Sequence, residues 1–326
     1  MRASLIDRLP LSPAARGSVL ALCSTAAIAS VLVVSKWALT SLTPATFGVW
    51  WYGATVLIAI VYQLVRRRPG LWATLRSHRP LPIIALGLLN GLVTIIFAYA
   101  IKLIDPTIAS FFDRSETLFA VLFGVWLLGE RFVRLEVIGL IVLFVGVGGL
   151  TYTGGRVVAL GGALVFAANF LYSLGLVIVK SRLKAVDTGA LTGLRALFGL
   201  PVLIVYALIS GGWQVPAADQ IVGIFIGAFL GPFLGHVLYY RALHYIDLAK
   251  AALLHASQPL FVAILALIVF GTLPEPQQWL GGALVLIGVY VLLIGLPATP
   301  PALSAAAPLS PGALGQKKGE APGGEG

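Results

Sequence analysis

Acidic side chains are scarce in this chain. Asp and Glu total 12 against 22 Lys and Arg in 326 residues, so only 10% of positions are charged, where an ordinary soluble domain carries about 25%. With 59% hydrophobic residues and a mean hydropathy of +0.98, the composition is that of an integral membrane protein. Cysteine occurs once, as Cys23 inside an apolar run, which excludes an intrachain disulfide and a cysteine-rich metal site. No His-Glu-x-x-His zinc pair, phosphate-binding P-loop or Gly-x-Ser-x-Gly elbow is present. The reading is therefore not an enzyme, with no cofactor and no metal. The formal charge of +10 sits in short clusters between apolar runs, where membrane proteins place it to set topology, so nucleic acid is not a partner.

The apolar runs are what the chain has in abundance. Ten stretches of about 20 residues, the length that spans a bilayer as a helix, begin near Ser18, Pro44, Leu81, Pro106, Val133, Val157, Gly189, Ile221, Leu248 and Gln277. Residues 1–17 read as a cytoplasmic N-terminal segment, and 297–326, rich in Ala, Pro and Gly, as a disordered cytoplasmic tail. Basic residues recur in alternate links: the N-terminus, Arg66 to Arg79, Gly129 to Arg134, Lys180 to Lys184, the link holding Arg241 and Lys250, and Lys317 with Lys318 in the tail. The other links, around Thr43, Asp105, Gly154, Gly212 and Pro274, are nearly free of Lys and Arg. The positive-inside rule then puts both termini in the cytoplasm of a multi-pass protein of the cell (plasma or inner) membrane.

Sliding the chain along itself by 142 residues lays Ala100, Ile104, Asp105, Ala109, Ser115, Leu118, Phe119, Gly139, Gly146 and Leu150 on Ala242, Ile246, Asp247, Ala251, Ser257, Leu260, Phe261, Gly281, Gly288 and Leu292. A shift of 144 lays Lys36 on Lys180 and Tyr62 on Tyr206 in the earlier helices. The five-helix unit 18–152 is thus expected to recur as 153–296. Because five is odd, the copies must insert in opposite orientations, an arrangement that lets two halves exchange conformations and open a shared site to either side.

The segments "AIKLIDPTIASFFDRSETLFAVLFGVWLLGERFVRLEVIGLIVLFVGV" and "ALHYIDLAKAALLHASQPLFVAILALIVFGTLPEPQQWLGGALVLIGV" close the two halves in a shared register. With ten helices in two such halves, residues 18 to 296 resemble the EamA-type members of the drug/metabolite transporter superfamily. The "LLGER" of the first half matches that pattern. The second half has Gly271-Thr272 where a Glu is usual, and Glu116-Thr117 stands where Glu-Pro is commoner, its repeat mate being Gln258-Pro259. The resemblance implies an all-α fold of two inverted five-helix repeats. It also implies a secondary carrier, by family habit an exporter of amino acids or related amphipathic compounds.

Three charges interrupt the fourth stretch: Asp113, Arg114 and Glu116. Counting about 1.5 Å per residue from Asp105, the carboxyls lie roughly 12 and 16 Å deep, near the middle of a core about 30 Å thick. Their repeat mates are His255 and Gln258, so these groups are expected to converge near the pseudo-twofold axis. Ionised groups at that depth are costly and need partners or a wet cavity. A bundle-holding ion pair of Asp113 with Arg114 is the plainer alternative. Glu116 is the expected titrating residue and His255, with an ordinary pKa of about 6.5, the next, the alternative for His255 being a buried neutral histidine bonded to a neighbour. Asn90, Asn169, Tyr172, Arg195 and His236 are expected to line the same cavity or to bond between helices, and Arg195 alternatively to snorkel to the cytoplasmic interface with Lys36 and Lys180. Trp37, Trp50, Trp51, Trp213 and Trp279 read first as interfacial belt residues, with aromatic gating as the second reading.

With no nucleotide-binding domain, any transport is passive or driven by an ion gradient. The partners expected are a small-molecule substrate, the lipid bilayer and protons, with a homodimer left open. A membrane-embedded enzyme or receptor using Asp113, Glu116 and His255 is the alternative reading.

Overall fold

The computed structural model describes residues 12–67, 70–77, 80–128, 134–182, 188–243, 245–246 and 248–295. The N-terminal segment before Ser12, the links 129–133 and 183–187, and the tail lie outside them. The described residues are helical almost throughout, without strands: α1 Pro13–Leu39, α2 Pro44–Val65, α3 Leu71–Ser77, α4 Pro80–Leu103, α5 Pro106–Asp113, α6 Ser115–Leu128, α7 Arg134–Arg182, α8 Thr188–Ser210 and α9 Ala218–Ala228. A π-helical turn, Phe229–Gly235, leads into α10 His236–Ala242, followed by α11 Leu248–His255, α12 Gln258–Phe270 and α13 Pro276–Gly295.

Several starts follow one recipe. Ser12, Thr43 and Asp105 each stand in extended conformation and accept a backbone N–H of the first turn, and each is followed by proline. The cap satisfies an orphan donor, and proline at the next position needs none. The first cap places the start of α1 at Pro13 rather than Ser18.

Among the described residues, eight segments are long and apolar enough to cross a membrane, where the sequence reading expected ten. The difference has two sources. The expected fifth and sixth helices run on as α7, which bends at Gly155 with φ 67 and ψ −165, a conformation reserved for glycine. The expected fourth helix is two short ones, α5 and α6, and it carries the three charges.

That break has a counterpart. Around Arg114 the bonds close over three residues, Arg114 N to Phe111 O at 3.2 Å and Thr117 N to Arg114 O at 3.1 Å. Between α11 and α12 the same happens, with Ser257 N to Leu254 O at 3.2 Å and Leu260 N to Ser257 O at 3.0 Å. The interruptions lie one repeat apart. In α12 Pro259 lacks the N–H that continuity would require; in α6 Thr117 takes that place, and the break forms without proline.

The two repeats meet where α13 crosses the part of α7 before Gly155. A Cβ on Gly139 would lie 2.8 Å from Gly288 O, and one on Gly146 2.7 Å from Gly281 O. Reciprocally, a Cβ on Gly281 would lie 3.1 Å from Gly146 O, and one on Gly288 2.8 Å from Gly139 O. The early residue of one helix meets the late residue of the other, so the helices run antiparallel. The shift of 142 exchanges Gly139 with Gly281 and Gly146 with Gly288, and so maps this contact onto itself.

Phe111 and Phe112, fully buried, seat α5 in the core by edge-to-face contacts with Trp279 and Phe166, at 5.9 and 6.3 Å between ring centroids. Trp51 is a correction to the sequence reading: it is buried against Phe47, at 5.3 Å, rather than held at an interface. Trp279 likewise packs inward on Phe111, while Trp213 is exposed.

Candidate functional site

The helix breaks leave backbone groups without helical partners, and polar side chains gather on them. Asp113 ends α5. Asn169, on α7 beyond Gly155, donates from Nδ2 to the Asp113 carbonyl at 3.0 Å, to Asp113 Oδ1 at 3.3 Å and to Ser115 Oγ at 3.1 Å. One amide thus meets the carbonyl that the break frees and fixes the carboxylate beside it.

Arg114 occupies the break itself, its side chain 9% exposed. Its Nη2 donates to Gln258 Oε1 at 2.8 Å and lies 3.4 Å from Asp113 Oδ2. The first is an ordinary short bond; the second is long for a charge-assisted pair, which settles near 2.7–2.9 Å. Gln258 is therefore the main partner, and it opens α12. The two interruptions are tied to each other by this bond.

His255 ends α11. Its Nδ1 lies 3.3 Å from Thr25 Oγ1 on α1, and its ring packs 5.7 Å from that of Tyr239. Thr25 is one repeat from Asn169 and His255 one repeat from Asp113, so each half anchors the end of the other half's broken helix. The expected four-way convergence is modified accordingly. Gln258 reaches Arg114, while Asp113 and His255 take separate partners, Asn169 and Thr25.

Glu116 lies in the first turn of α6, where a negative charge suits the helix dipole. No described side chain hydrogen-bonds its carboxylate. The cations within electrostatic reach are Arg114 and Arg195. Ser173 Oγ donates to its carbonyl at 3.4 Å.

Arg195 on α8 turns inward, contrary to the snorkelling alternative. Its Nη2 donates to Asn90 Oδ1 at 2.5 Å, and its guanidinium lies over the Tyr172 ring, 5.4 Å from the centroid. Asn90 is fixed in turn, Nδ2 donating to Leu86 O at 2.8 Å while Tyr52 Oη donates to its carbonyl at 2.9 Å. His236 follows the π-helical turn, in the field of Arg195. Lys36 is tied to a helix end. Its Nζ donates to the carbonyls of Ile101, Lys102 and Ile104 at 3.0, 3.0 and 2.9 Å, closing the C-terminus of α4. The side chain of Lys180 lies outside the described residues.

The sequence reading missed Thr25, Tyr52, Thr94, Ser115 and Ser173. Hydroxyls in helices commonly bond to their own backbone, as Thr25 Oγ1 does to Ala21 O at 2.8 Å and Thr94 Oγ1 to Asn90 O at 2.9 Å, so their type carries no signal. The one available clue was the distance of 144 residues between Thr25 and Asn169. The π-helical turn was signalled by Pro232 inside an apolar helix, since proline forces a local change of register.

The cluster is thus a set of fixed polar groups with one guanidinium at the paired helix breaks and a second, Arg195, held on Asn90 and Tyr172, suited to holding a polar solute amid apolar helices. Comparison with known proteins agrees with a membrane carrier. The model of the EamA-like transporter family matches this chain twice, over residues 15–152 and 159–294. A solved structure described only as "Crystal structure of protein" is 18% identical, with 85% of this chain and 97% of that chain covered and a TM-score of 0.60, a likeness of fold. No curated protein matches. With most of its length taken up by two tandem matches, this all-helical membrane protein belongs to the EamA-like transporter family.

Proposed function

We propose that the chain is a secondary transporter that exports a small polar or amphipathic metabolite, an amino acid or related compound, across the cytoplasmic membrane by alternating access, with protons as the coupling ion. The observation that carries this reading is the pair of helices broken at mate positions and joined by Arg114 and Gln258. Broken helices put polar backbone and side chains at mid-depth only where a site or cavity uses them.

Ten spans result when α5 and α6 are taken as one interrupted helix and α7 as two about Gly155, giving repeats 18–152 and 153–296. The antiparallel, self-mapping contact of Gly139 and Gly146 with Gly281 and Gly288 supports an inverted pair with its axis in the membrane plane. The basic links support cytoplasmic termini. The hydrogen bonding of Asp113 and His255 to separate helices, through Asn169 and Thr25, favours a carrier site over an embedded enzyme.

The test is purified protein in vesicles loaded with a metabolite mixture, with efflux followed by mass spectrometry. Release of a defined subset of solutes, accelerated by an imposed proton gradient, is the expected result. Release no faster than from empty vesicles would overturn the reading.

A further inference from the structure

Both guanidiniums of the cluster take a neutral amide as their short hydrogen-bond acceptor: Gln258 for Arg114 at 2.8 Å and Asn90 for Arg195 at 2.5 Å. An amide oxygen fixes a guanidinium in place without neutralising it. For Arg114 the nearest carboxylate, Asp113, stands off at 3.4 Å and is itself held by Asn169. Among the described residues, moreover, the buried Nε of Arg114 has no hydrogen-bond acceptor. A buried donor left unmade costs about 1–3 kcal/mol, more when charged, and Nε with Nη2 forms the fork that matches a carboxylate in two parallel bonds. The N-termini of α6 and α12, 14 and 13 residues long, flank this guanidinium, and their dipoles favour negative charge there.

We propose that Arg114 is the anchor for a carboxylate on the transported solute, which binds the Nε and Nη2 fork and displaces Gln258. This rests on the transporter reading above and deepens it. Displacing Gln258 also breaks the hydrogen bond between the two helix interruptions, so the solute itself releases one of the polar ties between the halves. A solute without a carboxylate leaves that bond closed.

The experiment uses the full chain in vesicles loaded with an equimolar mixture of amino acids, hydroxy acids and keto acids together with the matching amides, amines and alcohols. The expected result is that only carboxylate-bearing members leave. Efflux of the amides or amines at comparable rates would overturn the carboxylate site while sparing the transporter reading, and efflux of nothing would overturn both. Gln258→Glu supplies Arg114 with a resident carboxylate. It is expected to keep the thermal midpoint of the wild type and to slow efflux of the same acids about 30-fold or more, the loss that follows when a buried charge partner is withdrawn. Gln258→Leu, which removes the competing acceptor, is expected to lower their half-saturating concentration. Wild-type kinetics in both variants would make the Arg114–Gln258 bond merely structural and overturn the proposal.

Discussion

Glu116 and Asn169 show how differently two polar residues of one cluster are held. The carboxylate of Glu116 has no hydrogen bond from a described side chain, whereas Asn169 makes three contacts across the first helix break. Glu116→Gln keeps shape and hydrogen-bonding capacity but removes the proton site. The variant should fold, still move solute, and lose its response to an imposed pH gradient; flux that tracks the gradient as in the wild type would exclude Glu116 from coupling. Asn169→Ala should instead reduce stability, by about 1–3 kcal/mol for the carbonyl freed at the break and left without its donor. Thr25→Ala, which removes one contact to His255, should cost about 0.6 kcal/mol, the average for a bond between membrane helices. Thermal unfolding in detergent measures both, and equal losses would contradict the unequal roles assigned to these repeat mates. The charged members of this cluster were legible in the sequence because ionisable groups within an apolar run demand an explanation. Thr25 was not, since a threonine hydroxyl can satisfy itself on its own helix and nothing in its type reveals a distant partner.

At the scale of elements, close backbone approach decides where the structure tolerates change. A Cβ at Gly146 would stand 2.6 Å from Val285 N, whereas one at Gly148, two residues on, meets nothing within 4 Å. Gly146→Ala should therefore force α7 from α13 and cost about 1–3 kcal/mol as overpacking does, while Gly148→Ala should be neutral or slightly stabilising through helix propensity. Thermal midpoints of the two variants check this, and a harmless Gly146→Ala would refute the tight crossing. Hydropathy revealed the helices because length and apolarity are what a bilayer selects. It could not reveal the breaks at Arg114 and Ser257: an interruption of the backbone ladder leaves side-chain hydropathy unchanged, and only Pro259 marked one of them. The tryptophans misled for a related reason, since an amphipathic ring suits both an interface and a tight core, and Trp51 took the core.

The whole molecule is a paired structure whose halves brace each other: Asn169 holds Asp113, Thr25 holds His255, and Arg114 reaches Gln258. The inverted pair proposed for these halves would have a topology that labelling reads directly. With Cys23 replaced by Ser, single cysteines at Ala73 and Ser210, both exposed, should react from opposite sides of the membrane, Ala73→Cys from the cytoplasm; labelling of both from one side would contradict the arrangement. The central claim, that this paired structure works by alternating access, is tested most directly by counterflow. Vesicles containing the purified chain and preloaded with an exported solute are diluted into a trace of the same solute carrying an isotope label. An alternating-access carrier predicts a transient accumulation of label above its outside concentration, driven by exchange through one shared site, and uptake that rises no faster than into vesicles without preload would contradict it.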